Sequence, residues 1–233
     1  MKKLFIALCM LLVLTACANT SAPQEPISQE PVEEEVAGGW TINSSIKAIE
    51  ADVYFEKAIS KYDGMGLTPL FVLGSQPTPN NYAYLCYGTT VTANPTTDFK
   101  VVIIAAGENS EDTAILNVAD FNLKDYLDSK GSNTPEGLMG GWQDNGELEN
   151  VLHDKTNTMF NRALNGITGV AYTPVCVLGT QVVAGTNYAV LAVGKSVTAQ
   201  PIPHLYVINI YEDLQGNATV NNICGIDLSS FNK

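Results

Sequence analysis

Hydrophobic and polar positions along the chain follow one helical pattern twice. Apolar residues recur mostly at three- and four-residue steps over residues 46–62 and again over residues 148–164. In the first stretch, Ser44 or Ser45 is the predicted N-cap, and Gly64 ends the pattern. Each stretch is therefore predicted to form one amphipathic helix.

Each predicted helix is followed by short runs rich in Val, Ile, Tyr and Leu, which are typical of strands. The separations between the runs are too short for parallel crossovers, so neighbouring strands are predicted to be antiparallel. The pattern predicts an α+β fold in which one helix packs across a four- to five-stranded antiparallel sheet, twice. In the second copy the predicted strands are residues 174–183, 186–195, 204–211 and 218–226.

The two copies also share short sequence motifs in the same order. The tripeptide Gly-Gly-Trp at residues 38–40 returns at residues 140–142, and Val-Thr-Ala at residues 91–93 returns at residues 197–199. Such self-similarity indicates a duplicated unit. It predicts two tandem domains, residues 38–130 and residues 138–233, with the boundary in the polar stretch between them.

The N-terminus has the pattern of a secretion signal. Lys2 and Lys3 precede an apolar run, residues 4–14, which is short for a membrane span. The run ends in Leu-Thr-Ala before Cys17, and this tetrad resembles a bacterial lipobox. The resemblance implies a signal peptide at residues 1–16, a lipid on Cys17, and a protein held in the bacterial cell envelope outside the cytoplasm. The alternative is an ordinary signal with a chance cysteine.

Residues 17–37 are rich in Pro, Glu, Gln and Ser and predict a flexible acidic tether. The whole chain has 12 basic and 24 acidic residues, and loss of Lys2 and Lys3 with the signal would lower the net charge from −12 to about −14. Nucleic acid is therefore an unexpected partner. For the same reason, membrane attachment is predicted to depend on the lipid at Cys17 and not on charge.

The sequence offers little for catalysis or metal binding. Cys86, Cys176 and Cys224 have no close pair or metal-type spacing and lie in apolar stretches, which predicts small buried side chains. His153 and His204 have no motif partner that would make them a base or a metal ligand. We predict no cofactor, no metal and no enzymatic activity.

One hairpin resembles a known signature. Five consecutive residues lie between two predicted strands: Gln181, Val182, Val183, Ala184 and Gly185. They resemble the signature hairpin of the cystatins and stefins, protein inhibitors of papain-like cysteine proteases. Residues further upstream resemble the family's apolar N-terminal segment ending in glycine: Leu138, Met139 and Gly140. The resemblance covers residues 138–233 and reaches residues 38–128 only through the internal repeat.

The resemblance implies two tandem cystatin-like domains and inhibition by occlusion of the protease cleft. The N-terminal segment and two hairpin tips would form a wedge, with Leu214 as the anchor of the second tip. This tip lacks the apolar pair common in the family, and the first copy has Pro77 and Pro79 in place of an apolar tip, so the first domain is predicted not to inhibit. The alternative is a non-inhibitory interaction module on the same scaffold.

Overall fold

A computed structural model describes residues 39–47, 49, 52–107, 109–127, 141–144 and 154–232. The predicted signal peptide, Cys17, the tether and most of the predicted domain boundary lie outside these residues. None of the described helices has the length and apolar character needed to cross a membrane. Residues 35–233 form one compact unit.

The first repeat consists of a minimal strand, a short helix and four longer strands. Its strands pair in chain order and are all antiparallel. A 3-10 turn at Ser110–Asp112 connects the last two strands. The elements are β1 (Thr41–Ile42), α1 (Val53–Ile59), β2 (Gly66–Pro77), β3 (Asn80–Thr89), β4 (Thr97–Ala105), β5 (Ala114–Asp120) and α2 (Leu123–Leu127).

The second repeat builds the same order of elements and ends in a 3-10 turn at Leu228–Phe231. Its five strands are also antiparallel neighbours in chain order. The four strands predicted from the sequence are present, each within a few residues of its predicted ends. The elements are β6 (Gln143–Asp144), α3 (Asp154–Ala163), β7 (Val170–Val183), β8 (Gly185–Ser196), β9 (Pro203–Glu212) and β10 (Ala218–Ile226).

The predicted α+β fold class, with one helix packed across each sheet as the basic unit, is wrong. Antiparallel strand dominates the described residues, and the three α-helices there have only five to ten residues. The two five-stranded sheets cover each other, and the largest cluster of buried side chains contains residues from both of them. The short helices α1 and α3 contribute only to two smaller clusters on the other sheet faces.

Strand β4 shows why the sheets need cover on both faces. Phe99, Val101 and Ile103 belong to the core between the sheets, whereas Val102 and Ile104 belong to the cluster around α1. Successive side chains of a strand point to opposite faces, so the unbroken apolar run at residues 101–104 requires two buried faces. All five side chains are at most 2 % exposed.

The two repeats exchange equivalent contacts at a pair of glycines. Leu228, which follows the second sheet, packs against Gly74 in β2, and Leu123, which follows the first sheet, packs against Gly179 in β7. A Cβ at Gly74 would lie 3.0 Å from the Leu228 side chain, and one at Gly179 would lie 2.9 Å from the Leu123 side chain. The exit segment of each repeat therefore depends on a missing side chain in the other repeat.

Helix α1 begins later than the predicted N-caps Ser44 and Ser45. Asp52 is the N-cap, and its carboxylate accepts hydrogen bonds from the backbone N–H groups of Tyr54 and Phe55, both at 3.0 Å. Two of the unpaired N–H groups at the helix start are satisfied in this way, which fixes the first turn at Val53.

Two of the three cysteines behave as the sequence predicts. Cys86 and Cys176 are free thiols buried in apolar clusters, and Cys224 is a free thiol of intermediate exposure. Burial raises the pKa of the Cys86 and Cys176 thiols, so both are neutral and unreactive at ordinary pH.

Candidate protein-binding edge

The hairpin between β7 and β8 turns within very few residues. Val183 pairs with Gly185, which leaves Ala184 at the tip. Gly185 has φ +131°, and a Cβ there would lie 2.4 Å from the backbone oxygen of Glu212. Both the backbone conformation and the close approach to β9 therefore require glycine at this position.

The hairpin between β9 and β10 is held by its own side chains. Asp213 accepts hydrogen bonds from the side chain of Asn217 at 2.8 Å, from the backbone N–H of Asn217 at 2.8 Å and from the backbone N–H of Gln215 at 2.9 Å. These hydrogen bonds, with the Asn217 side chain contributing most, lower the pKa of Asp213. The turn is built by polar groups, so Leu214 is left with 80 % of its surface exposed.

The two hairpin tips lie side by side at one end of the second sheet. Thr186 at the start of β8 pairs with Glu212 at the end of β9, so both turns project from the same edge. The Tyr211 hydroxyl donates a 2.5 Å hydrogen bond to the backbone oxygen of Ala184 and ties the tips together. Val182 is 66 % exposed on this edge. We call the segments 182–185 and 213–217 the binding edge.

The remaining hairpin residues of the predicted wedge have supporting positions. Gln181 lies at the base of the β7–β8 hairpin, where its side-chain oxygen accepts a 2.9 Å hydrogen bond from Asn187. Val183 is half-buried, Ala184 is exposed and Gly185 is buried. Only Val182 and Ala184 of the five signature residues therefore offer an exposed side chain.

The predicted N-terminal element, Leu138, Met139 and Gly140, lies outside the described residues. The chain that follows it does run along the hairpin, because β6 pairs with β7 through Gln143 opposite Thr180. Continued by two residues, this antiparallel register brings Gly141 level with Val182. The described start of the second repeat thus points toward the binding edge.

The first repeat has the same hairpin base with a different tip. Asn81 donates a 3.0 Å hydrogen bond to the Gln76 side chain, which is the counterpart of the Asn187–Gln181 pair. Pro77 pairs with Asn80, and the intervening Thr78–Pro79 peptide bond is cis. This tip offers no exposed large apolar side chain among its described residues, as the sequence predicts.

The first repeat also contains a buried lysine with two carboxylate partners, which the sequence analysis missed. Lys100 on β4 has a side chain only 8 % exposed and forms ion pairs with Asp98, at 2.9 Å, and with Asp120. Burial alone would lower the pKa of Lys100, but the hydrogen bonds to Asp120 and Asp98 and the negative charges of both together outweigh it, so the pKa is raised. Lys100, placed between Phe99 and the apolar run of residues 101–104, was the signal, because a buried ammonium requires partners.

One of the two histidines that the sequence analysis considered lies among the described residues. His204 is exposed, and its ring contacts Tyr206 edge-on at a centroid distance of 6.5 Å. His153 is outside the described residues. No group of three or more His, Cys, Asp or Glu side chains there is arranged to hold a metal ion.

No protein-family model, curated protein or solved structure matches this chain.

Proposed function

We propose that this protein inhibits papain-like cysteine proteases by inserting its binding edge into the substrate cleft. The observation that carries the proposal is the placement of Val182 and Leu214 on adjacent hairpin tips, both largely exposed. Exposed apolar side chains at the ends of ordered turns are stabilised when a partner buries them. Occlusion of this kind needs neither a nucleophile nor a base on the inhibitor.

Contacts within the binding edge hold both tips in place, which favours binding. Gly185 fixes the first turn, Asp213 holds the second, and the Tyr211–Ala184 hydrogen bond connects them. A preorganised loop loses little conformational entropy on association, so more of the apolar burial contributes to affinity.

The resemblance of residues 181–185 to the cystatin and stefin hairpin is what directs the proposal to papain-like proteases. The predicted lipid on Cys17 would hold the inhibitor at the cell envelope, where it would meet proteases outside the cytoplasm. The target groove must also leave room for the first repeat, because residues of both repeats line one cavity: Asp98 and Asp120 from the first, and Gly141 and Gln181 from the second.

A non-inhibitory interaction module is the second candidate. It is favoured by the second tip, where Leu214 is the only apolar side chain within a turn otherwise built from polar groups. Such an edge would bind a shallower groove on another envelope protein and leave proteases active.

Titration of papain activity with the full chain separates the two candidates. Fully burying a Val or Leu side chain contributes about 1.5–3 kcal/mol, so a Val182→Ser, Leu214→Ser variant that loses most of both should inhibit more weakly by roughly 100-fold or more. Val197→Ser is the matched control, because Val197 is 74 % exposed at the opposite end of the same sheet.

Inhibition by the wild-type chain and by Val197→Ser, with loss in the double variant, supports the proposal. Papain activity that is unaffected by micromolar wild-type protein favours the interaction module. Inhibition that survives the double variant would place the inhibitory surface elsewhere on the molecule.

A further inference from the structure

Arg162 connects helix α3 to the second tip of the binding edge, residues 213–217. It lies in the last turn of α3, and its guanidinium donates a hydrogen bond to the backbone oxygen of Gly216. Arg162 is the only arginine in the chain. Its planar group carries several N–H donors on a long stem, which suits it to reach from a helix to a carbonyl in a neighbouring turn.

The other hydrogen bonds of the second tip stay within the turn. The Asp213 carboxylate accepts from the N–H groups of Gln215 and Asn217. The backbone of Asp213 accepts from Gly216 and donates to Asn217. These bonds fix the shape of the turn but not its direction relative to the rest of the domain. Among the described residues, Arg162 provides the one hydrogen bond that reaches the tip from another element.

The first repeat has a cation at the equivalent helix position. Lys57 precedes Arg162 by the same number of residues as Gln76 precedes Gln181. Its ammonium forms an ion pair with Glu111, in the connection between β4 and β5 that corresponds to the second tip. A brace from the helix to this connection is therefore common to both repeats. The acceptors differ, because Lys57 binds a carboxylate side chain whereas Arg162 binds the main chain and so positions the turn itself.

We propose that Arg162 is a positioning residue that holds Leu214 in place for binding to the protease. This inference rests on the proposed function and names a further residue on which the same surface depends. Leu214 is 80 % exposed and is the apolar anchor of its tip, so its position follows the turn that carries it. A turn that is held before binding loses less conformational entropy on association. Arg162 acts through Leu214 and does not need to touch the protease.

Two other roles for Arg162 predict different results. A cation in the last turn of a helix interacts favourably with the helix dipole, so a purely structural Arg162 would affect stability and not the tip. Arg162 is also exposed, so its charge would attract an acidic protease surface directly. In neither case would the effect of Arg162 on inhibition depend on the presence of Leu214.

A double-mutant cycle between Arg162 and Leu214 separates these roles. The full chain would carry Arg162→Met, Leu214→Ser or both changes, and inhibition of papain would be titrated for each variant. Methionine keeps an apolar stem and removes both the charge and the N–H donors. Lys155→Met is the matched control, because Lys155 is an exposed cation at the start of the same helix. Thermal melts of all variants establish that they are folded.

We expect Arg162→Met to weaken inhibition by about three- to tenfold, which is the effect of losing one ordinary hydrogen bond. In the Leu214→Ser background the same change should have no further effect, because the tip no longer carries its anchor. Hydrogen exchange at the backbone amides of residues 214–217 should become faster in Arg162→Met and stay unchanged in Lys155→Met. The exchange measurement reports on the tip in the absence of protease.

Wild-type inhibition by Arg162→Met, or an equal loss with and without Leu214, would overturn the inference and leave the proposed function standing. Unchanged hydrogen exchange at the tip in Arg162→Met would overturn it as well. A wild-type chain that does not inhibit papain would reject the proposed function itself, and with it the positioning role of Arg162 in protease binding.

Discussion

Replacing Gly179 by alanine tests the contact that joins the two repeats. A Cβ at this position would lie 2.8 Å from the backbone oxygen of Gln143 and 2.9 Å from a methyl group of Leu123. The first neighbour belongs to the two-residue strand β6, and the second is a buried leucine from the other repeat. Neither can move without loss of strand pairing or of core packing.

The expected magnitude follows from overpacking. Forcing an extra methyl group into a filled interior typically destabilises a protein by about 1–3 kcal/mol. For a unit of this size, 1 kcal/mol shifts the melting temperature by about 2–4 °C. Gly179→Ala should therefore lower the melting temperature by about 2–12 °C. Gly74→Ala should behave alike, because its Cβ would lie 2.6 Å from the Thr41 backbone oxygen.

Gly225→Ala is the matched control. It lies on the exposed face of β10, and its Cβ would meet only a ring carbon of Tyr206 at 3.9 Å, an ordinary contact. Alanine there restricts the unfolded chain and should stabilise by about 0.4–1 kcal/mol. Differential scanning calorimetry would measure the melting temperatures of the three variants. Equal melting temperatures for Gly179→Ala and Gly225→Ala would refute the reciprocal packing of the repeats.

Three further outcomes are expected. Gly185→Ala should lower the unfolding free energy measured in urea by about 3 kcal/mol and weaken any papain inhibition. The reason is that φ +131° is strained for alanine and that the added Cβ meets the backbone oxygen of Glu212. Unchanged stability would contradict the turn geometry. Asp52→Ala should lower stability by about 1–2 kcal/mol, whereas Asp52→Asn retains a capping oxygen and should lose less; equal losses would argue against the cap. Unfolding free energy should fall as pH rises above about 8.5, because burial raises the pKa of Cys86 and Cys176 and raises that of Tyr126 to about 12. These groups keep their protons in the folded protein and release them in the unfolded chain. An unfolding free energy that stays constant from about pH 8 to 11 would contradict their burial.

The sequence predicted the strands well because their limits are local. Turn-forming residues separate the apolar runs, and Gly185 marks the reversal at which β7 ends and β8 begins. The paired amides Gln76–Asn81 and Gln181–Asn187 also follow the repeat that the motifs revealed. These features are predictable because each depends on residues close together in the sequence.

The helix start was mispredicted because two isoleucines with helical spacing pack in two different clusters. Ile46 and Ile49 are three residues apart, as on a helix, yet Ile46 packs against the core between the sheets and Ile49 packs against the cluster around α1. The Ile49 N–H also bonds to the Leu70 oxygen in β2 and not to a carbonyl one helical turn earlier. Periodicity alone cannot separate these cases.

The packing of one sheet on the other depends on contacts between residues about a hundred positions apart. Its local signal was the unbroken apolar run at residues 101–104 of β4, which requires two buried faces, but that signal does not say what covers the second face. The cavity lined by both repeats was hidden for the same reason. Its lining includes Asp98 and Asp120 from the first repeat and Trp142 and Gln181 from the second.

Binding to papain with an open or a blocked cleft tests the wedge most directly. The full chain would be immobilised and exposed to active papain and to papain whose active-site cysteine carries a covalent peptidyl inhibitor. If the edge of Val182 and Leu214 enters the cleft, active papain binds and blocked papain does not. Equal binding of both forms, or no binding of either, would contradict the account.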